Sequence, residues 1–329
     1  MKSIFTFLVL FFFSVSLFSQ AGDSRKKQVT KVSKYTLKLD KNTKKRVTSN
    51  SELDAKAKQS AFNLNYSLYL KSSTANKNYT ALLTAYSLDS SNSELYFELA
   101  KYYEITNNKK SKKVFCSKLK STKLSPALKE YAYNTLMSVE KNGILVTYGE
   151  NDTYPIWVLQ TLENVRTDVK VLNYDLLVNS SYRKRIQKEL GLRFSRSYSQ
   201  NINILIDVAE KNTSKPVYYS LTISHLVLKK LKNKLYPTGL ALKYSKKKFD
   251  NISVLKTNWE TKFRKSKMLS SRNMESDRKM HLNYVLPLLQ LSEFYKNSNL
   301  TLEYQQTNNV ILMLGKRANK LNQVKALLK

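Results

Sequence analysis

Five residues in one short stretch hold the chemistry that this sequence could perform: Glu150, Asn151 and Asp152 in GENDTYP, Arg166 in NVRTDV, and Asp175 in LNYDLL. Carboxylates gathered by a loop hold a divalent cation through hard oxygen ligands, or accept hydrogen bonds from sugar hydroxyls. Open parallel sheets place ligands at the carboxyl ends of their strands. Glu150 and Asp152 follow the apolar run Ile144 to Tyr148, and Asp175 follows the run Val169 to Leu172, so all three belong to that edge. The same residues also admit a purely structural reading. Asp152 or Thr153 would cap a helix, Asn151 would take a left-handed turn, and Arg166 would pair with Asp152 or Asp168. The two readings differ on whether the carboxylates face a common pocket of ligand size. No Gly-rich phosphate loop, nucleophile elbow or His-carboxylate pairing occurs, so no catalytic residue, metal ligand or cofactor is assigned, and a non-catalytic role is favoured.

The elements that must position these residues are legible in the pattern around them. From Gly143 to Asn173 an apolar run, an acidic loop, a helical stripe (Val158, Leu159, Leu162, Val165) and a second β-branched run follow one another. That is a βαβ unit with parallel strands and a right-handed crossover. Two further strands are expected at Pro216 to Ile223 and Gly239 to Tyr244, with helices at Asn179 to Leu190, Asn201 to Lys211 and Ser224 to about Leu235. The fold class is therefore α/β with flanking α-helical repeats: a small, mainly parallel sheet covered by helices. Upstream, LDSSNSELYFELAKYYEITNN resembles a degenerate tetratricopeptide repeat, whose tyrosine stripe would form inter-helix core or line a peptide groove. Downstream, the stripes Leu282, Val285, Leu286, Leu289 and Ile311, Leu314, Ala318, Leu321 form a helical hairpin turning at Asn297 to Asn299. The expected divisions are a signal peptide over 1–21, a flexible basic arm over 22–52 with a short strand at Lys34 to Leu39, repeats over 53–140, the α/β domain over 141–248, and a helical region over 249–329.

Lys2, the apolar Ile4 to Phe18 and the small-residue boundary Ser19-Gln20-Ala21 have the order of a secretory signal peptide. The single cysteine, Cys116, excludes a disulfide framework and a cysteine zinc cluster, and two histidines, His225 and His281, offer little to a metal. The formal charge of +33 would point first to nucleic acid in a cytosolic protein. Export, the excess of lysine over arginine and the lack of any nucleic-acid-binding motif turn that expectation away from a specific nucleic acid. The expected partner is a protein or an anionic envelope polymer, with peripheral contact to membrane headgroups, in the periplasm or at the outer membrane.

The segment GENDTYPIWVLQTLENVRTDVKVLNYDLL resembles the extramembrane C-terminal region of a bacterial family of multi-pass membrane proteins of unknown function, related to transmembrane protein O-mannosyltransferases. Residues Gly149 to Pro155, Trp157, Arg166, Asp168, Val169 and Asn173 carry the resemblance, and KPVYYSLTIS, the GLAL strand, Arg278 and Asn283-Tyr284 extend it. Two departures stand out: Glu150 replaces an aspartate, and Ser224-His225 interrupts a region that usually reads Asp-Pro. The membrane-embedded, sugar-transferring part of that family is absent here. The resemblance therefore implies the fold, an exported location and a link to surface glycosylation or envelope biogenesis, but no transferase activity.

Overall fold

The computed structural model describes residues 50–195, 202–212, 214–224, 228–270 and 273–328. The expected signal peptide, the strand at Lys34 to Leu39, nearly all of the basic arm and His225 lie outside them. Among the described residues no helix is long and apolar enough to cross a membrane. The chain divides into two compact units, one ending at Phe115 and the other beginning at Cys116.

The first unit is helical: α1 (Asn50–Lys71), α2 (Tyr79–Leu88), α3 (Glu94–Ile105) and the start of α4 (Lys109–Thr122). Asn78 caps α2 by accepting the amide of Ala81 at 3.1 Å. Leu82, Ala85, Leu95, Leu99 and Ala100 are fully buried between the helices. The tyrosines join this core and each other: Tyr69 to Tyr79 (6.0 Å between centroids), Tyr79 to Tyr102 (5.0 Å), and Tyr103 to Phe115 (5.5 Å). Tyr69 donates to the buried carboxylate of Glu98, which also holds Lys101 at 2.6 Å. The stripe thus does the work of inter-helix packing.

The second unit contains the sheet. Its elements are α5 (Pro126–Met137), β1 (Ile144–Thr147), α6 (Glu150–Glu163), β2 (Lys170–Asn173), a short α7 (Tyr174–Leu177), α8 (Ser180–Leu190), α9 (Ile202–Glu210), β3 (Val217–Ser220), a 3-10 turn (Lys229–Lys234), β4 (Leu235–Pro237) and β5 (Ala241–Tyr244). The strand order is β2-β1-β3-β5-β4. β1 pairs in parallel with β2 and β3, while β5 runs antiparallel to β3 and to β4. All four residues of β1 and all four of β3 are buried, as expected for strands covered on both faces. Of the helix expected from Ser224 to about Leu235, 225–227 lie outside the described residues, Leu228 is helical, Lys229–Lys234 form the 3-10 turn and Leu235 opens β4. β4 runs parallel to β3 one place beyond it, and the tight turn after β4 brings β5 back antiparallel between them, so the five-stranded sheet is mixed.

The C-terminal elements are α10 (Asn251–Thr257), a π turn (Asn258–Lys262), α11 (Ser266–Leu269), α12 (Glu275–His281), a 3-10 turn (Leu282–Tyr284), α13 (Val285–Asn297), α14 (Thr301–Arg317) and α15 (Leu321–Leu327). The hairpin turns at Asn299, which takes the left-handed conformation (φ 58°). These elements close on α5, which belongs to this unit although its sequence was grouped with the repeats. Buried Glu130 of α5 accepts the amides of Lys267 and Met268, each at 2.8 Å, and so caps α11 from another helix. Asn134 donates to the Arg264 carbonyl (2.6 Å) and accepts the Arg264 amide (2.9 Å). Ser138 takes the amide of Leu240 at 2.9 Å, beside Gly239 at φ 141°. A Cβ on Gly239 would stand 2.4 Å from the Ser138 hydroxyl, so only glycine allows the approach.

α6 departs from the expected stripe. Every residue from Asp152 to Leu159 is buried, whereas Leu162 and Val165 are half-buried. The helix ends at Glu163, with Asn164 as a left-handed cap (φ 54°), so Val165 lies beyond it. A helix buried all round must be packed on more than one face. Trp157 is 1% exposed, and its replacement by alanine is expected to cost about 3 to 5 kcal/mol in urea unfolding. A loss below about 1 kcal/mol would show that its surroundings collapse onto the space.

Candidate functional site

The carboxyl ends of the three parallel strands form the edge to which the sequence assigned its five candidates. β1 connects to β2 on one side, and the chain then crosses to β3 on the other, so the switch point of the sheet lies at the end of β1. Gly149 turns the chain there with φ 77°, a value that favours glycine, and α6 begins at once at Glu150. Asn151 is therefore helical and half-buried, and the left-handed position expected for it belongs to Gly149.

Asp152 sits in the first turn of α6, three residues inside the cap position, which Gly149 holds. It is 3% exposed and accepts three hydrogen bonds: from the Tyr148 amide at 2.9 Å, the Ser220 hydroxyl at 2.8 Å and the Thr222 hydroxyl at 2.8 Å. One carboxylate thus ties the end of β1, the start of α6 and the end of β3 at the switch point. Burial pushes its pKa up to about 6, against the three donors, which pull it down. The neighbouring Thr153 serves the other side of β1: its hydroxyl lies 2.9 Å from that of Thr147 and accepts from the Asn173 amide at 2.9 Å. The cap expected of Asp152 or Thr153 is replaced in both cases by a tie between strands.

The remaining candidates are spread out. Glu150 pairs with Lys123 at 3.0 Å, with both side chains about one-fifth exposed. Asp175, in the first turn of α7 at the end of β2, is half-buried and lies near the Tyr174 hydroxyl, whose pKa is raised by burial and then by that charge. Arg166 pairs with Asp168, not Asp152: Nε and Nη2 donate to the two carboxylate oxygens at 2.9 Å each. Its Nη1 donates to the carbonyls of Leu136 and Val139, both at 2.9 Å, which fixes the end of α5. Arg166 itself is left-handed (φ 47°), a conformation that such a clamp must hold in place. Among the described residues no group of three or more His, Cys, Asp or Glu side chains is placed to hold a metal ion.

Sequence reasoning missed Ser220, Thr222 and Lys123. The signal for the first two was a polar pair ending the apolar strand PVYYSLT at the edge opposite Asp152. It also missed an aromatic pair: Tyr148, 38% exposed, stands 5.8 Å from Tyr174 across the ends of β1 and β2. From the C-terminal elements, Asp277 accepts from Ser125 at 2.8 Å, and Asn283 donates to the Tyr131 hydroxyl at 3.0 Å.

Residues 128–190 match the family model described as TMEM260-associated domain 2. The match runs from α5 to the end of α8 and includes Arg166, Glu150, Asp152 and Asp175. This segment therefore fits a TMEM260-like family. No curated protein and no solved structure matches the chain.

Two carboxylates of this site titrate in opposite senses. Folding raises the pKa of Asp152 to about 6 from an unfolded value near 4, so the folded protein binds the extra proton in that window. Stability should rise as pH falls from about 6 to about 4, by an amount on the order of 2 to 3 kcal/mol. Asp168, held down to about 2 by hydrogen bonds from Arg166, acts the other way: its contribution is full above about pH 4 and is lost as pH falls through about 2. Chemical denaturation at each pH should show the first slope vanish in Asp152→Asn and the second in Asp168→Asn; a slope unchanged in its own variant would remove that assignment. At neutral pH Asp152→Ala, which orphans three donors, should cost about 1 to 3 kcal/mol. Glu150→Gln, which loses one partly exposed ion pair, should cost less than about 1 kcal/mol.

Proposed function

We propose that this chain is an exported, non-catalytic interaction protein of a bacterial cell envelope, linked to surface glycosylation or envelope biogenesis. The single observation that carries the reading is the state of the acidic edge. Asp152 is used to tie β1, α6 and β3 together, Arg166 to clamp Asp168 and the end of α5, and Glu150 to pair with Lys123. A general acid or nucleophile must reach a reacting atom, and a carboxylate with its hydrogen bonds spent inside the fold does not. The similarity of residues 128–190 to a TMEM260-associated domain supports kinship with the extramembrane region of transmembrane O-mannosyltransferase relatives. In this reading the helical unit ending at Phe115 is a degenerate tetratricopeptide array that docks a protein partner, and the basic surface meets an anionic envelope polymer.

One observation favours a second reading, a glycan-binding protein or accessory carbohydrate-active enzyme. Tyr148 and Tyr174 present a partly exposed aromatic pair on the same strand ends as Glu150 and Asp175. Aromatic faces with carboxylates at their rim suit a sugar ring and its hydroxyls.

Fractionation of the tagged full chain, with mass spectrometry of its mature N-terminus, tests the first reading. A protein outside the cytosol that begins near Ser19 to Gly22 is expected; a cytosolic protein retaining Met1 would overturn it. Titration with neutral oligosaccharides, followed by tyrosine fluorescence in wild type and Tyr148→Ala, tests the second. Saturable binding lost in the variant would favour the sugar site over the scaffold.

A further inference from the structure

Around the open end of the β4-β5 hairpin two lysine runs meet. The amide of Ser245 donates to the Lys234 carbonyl at 2.8 Å, which brings the 3-10 turn Lys229–Lys234 against the segment that leaves β5. Lys229 and Lys230 are exposed on one run, and Lys246, Lys247 and Lys248 on the other. The nearby acids are already committed. Glu210 holds Lys234 at 2.8 Å, Glu140 holds Lys243, and Asp250 caps α10 by accepting the amides of Ile252 and Ser253. Five exposed cations thus share one end of the sheet and outnumber the acids beside them, Glu210, whose charge also meets Lys246, and Asp250. An aromatic pair accompanies them: half-buried Phe249 lies 5.9 Å from Tyr236 and 4.0 Å from the Lys243 ammonium.

We infer that this hairpin end is a membrane-surface site that docks the protein on anionic lipid headgroups. The charges are all lysines, compact ions on flexible stems, without the planar fork that reads a fixed phosphate or base edge. Such charges suit a fluid plane of anions, where each lysine near the surface strengthens binding about fivefold. Aromatic rings beside them match the composition of the interfacial zone of a bilayer. The inference rests on the proposed export only for where such lipid would be met, and vesicle binding is read out whatever the compartment.

The test uses the purified full chain and vesicles of phosphatidylcholine with and without one-third phosphatidylglycerol. Wild type should sediment with the anionic vesicles only, and 0.5 M salt should release it. Replacing Lys229, Lys230, Lys246, Lys247 and Lys248 by Gln should weaken binding at least about 100-fold. Replacing five other exposed lysines, Lys109, Lys110, Lys113, Lys262 and Lys325, by Gln gives the same net charge and should weaken it less than about tenfold. Equal losses in the two variants would overturn the inference, because the whole basic surface would then be responsible. So would wild type that ignores vesicles, including one that is retained on heparin. Lysine acetylation footprinting of wild type needs no variant: protection by anionic vesicles should concentrate at the five hairpin lysines, and uniform protection would also overturn the site.

Discussion

A parallel sheet as small as this one has a weak point at the strand end where its connections diverge. At β1 the chain leaves for β2 on one side and returns to β3 on the other, so the ladder ends on both sides with polar backbone groups unpaired. Asp152 answers that need. Its two oxygens accept the last amide of the β1 run and the hydroxyls of Ser220, at the end of β3, and Thr222, just beyond it, so the crevice that would otherwise open between β1 and β3 is closed by a side chain. Thr147, Thr153 and Asn173 close the β2 side in the same way with neutral groups. The asymmetry has a cost. The carboxylate must lose its water, which is why burial outweighs its three donors and raises its pKa. A buried side chain thus occupies the position where many α/β proteins hold a ligand.

The second dependence runs through α5. In sequence it precedes the sheet by only a short turn, yet its partners lie far downstream. Glu130 caps α11, Asn134 binds the backbone of Arg264, and Ser138 holds the loop before β5. At its end, the carbonyls of Leu136 and Val139 are held by Arg166. These are polar contacts between elements more than a hundred residues apart in several cases, and each satisfies a helix end or a loop that would otherwise bury unpaired backbone. The sheet unit and the C-terminal helices are therefore one cooperative structure. That the family similarity begins in α5, ahead of β1, fits this arrangement.

Much of this architecture was legible in the sequence. Apolar and β-branched runs marked β1, β2 and β3, Gly239 to Tyr244 held β5, and the helix expected from Asn179 to Leu190 is α8, capped by Asn179 and ended by Gly191. β4 was missed because it has only three residues, ends in Pro237 and follows a lysine run, all features of an edge strand that suppress the usual signal. The direction of β5 was hidden for the same reason: with β4 missed, the hairpin that turns β5 antiparallel was missed too. At the candidate site the edge itself was legible from the order of strand, acidic loop and helix. The roles were not, because they depend on Ser220 and Thr222, nearly seventy residues from Asp152. A local rule assigned Asp152 to a cap, whereas a long-range contact turned it into a bridge between strands.

The charge balance follows from the same allocation. The chain has 57 basic and 24 acidic residues, so most cations cannot find an acidic partner. The few acids are concentrated on structural duties: Glu130 and Asp250 at helix ends, Asp152 between strands, Asp168 on Arg166, and Glu163 shared by Lys120 and Lys129. A fold that spends its carboxylates in this way leaves its surplus of lysine facing water, where isolated charges do little for stability. What they supply is a long-range field that falls off within about 8 Å at physiological salt. Only where several such lysines stand close together and outnumber the carboxylates beside them does that field become strong enough to select an orientation at a charged surface. The packing of the hairpin end, rather than the total charge, creates that condition.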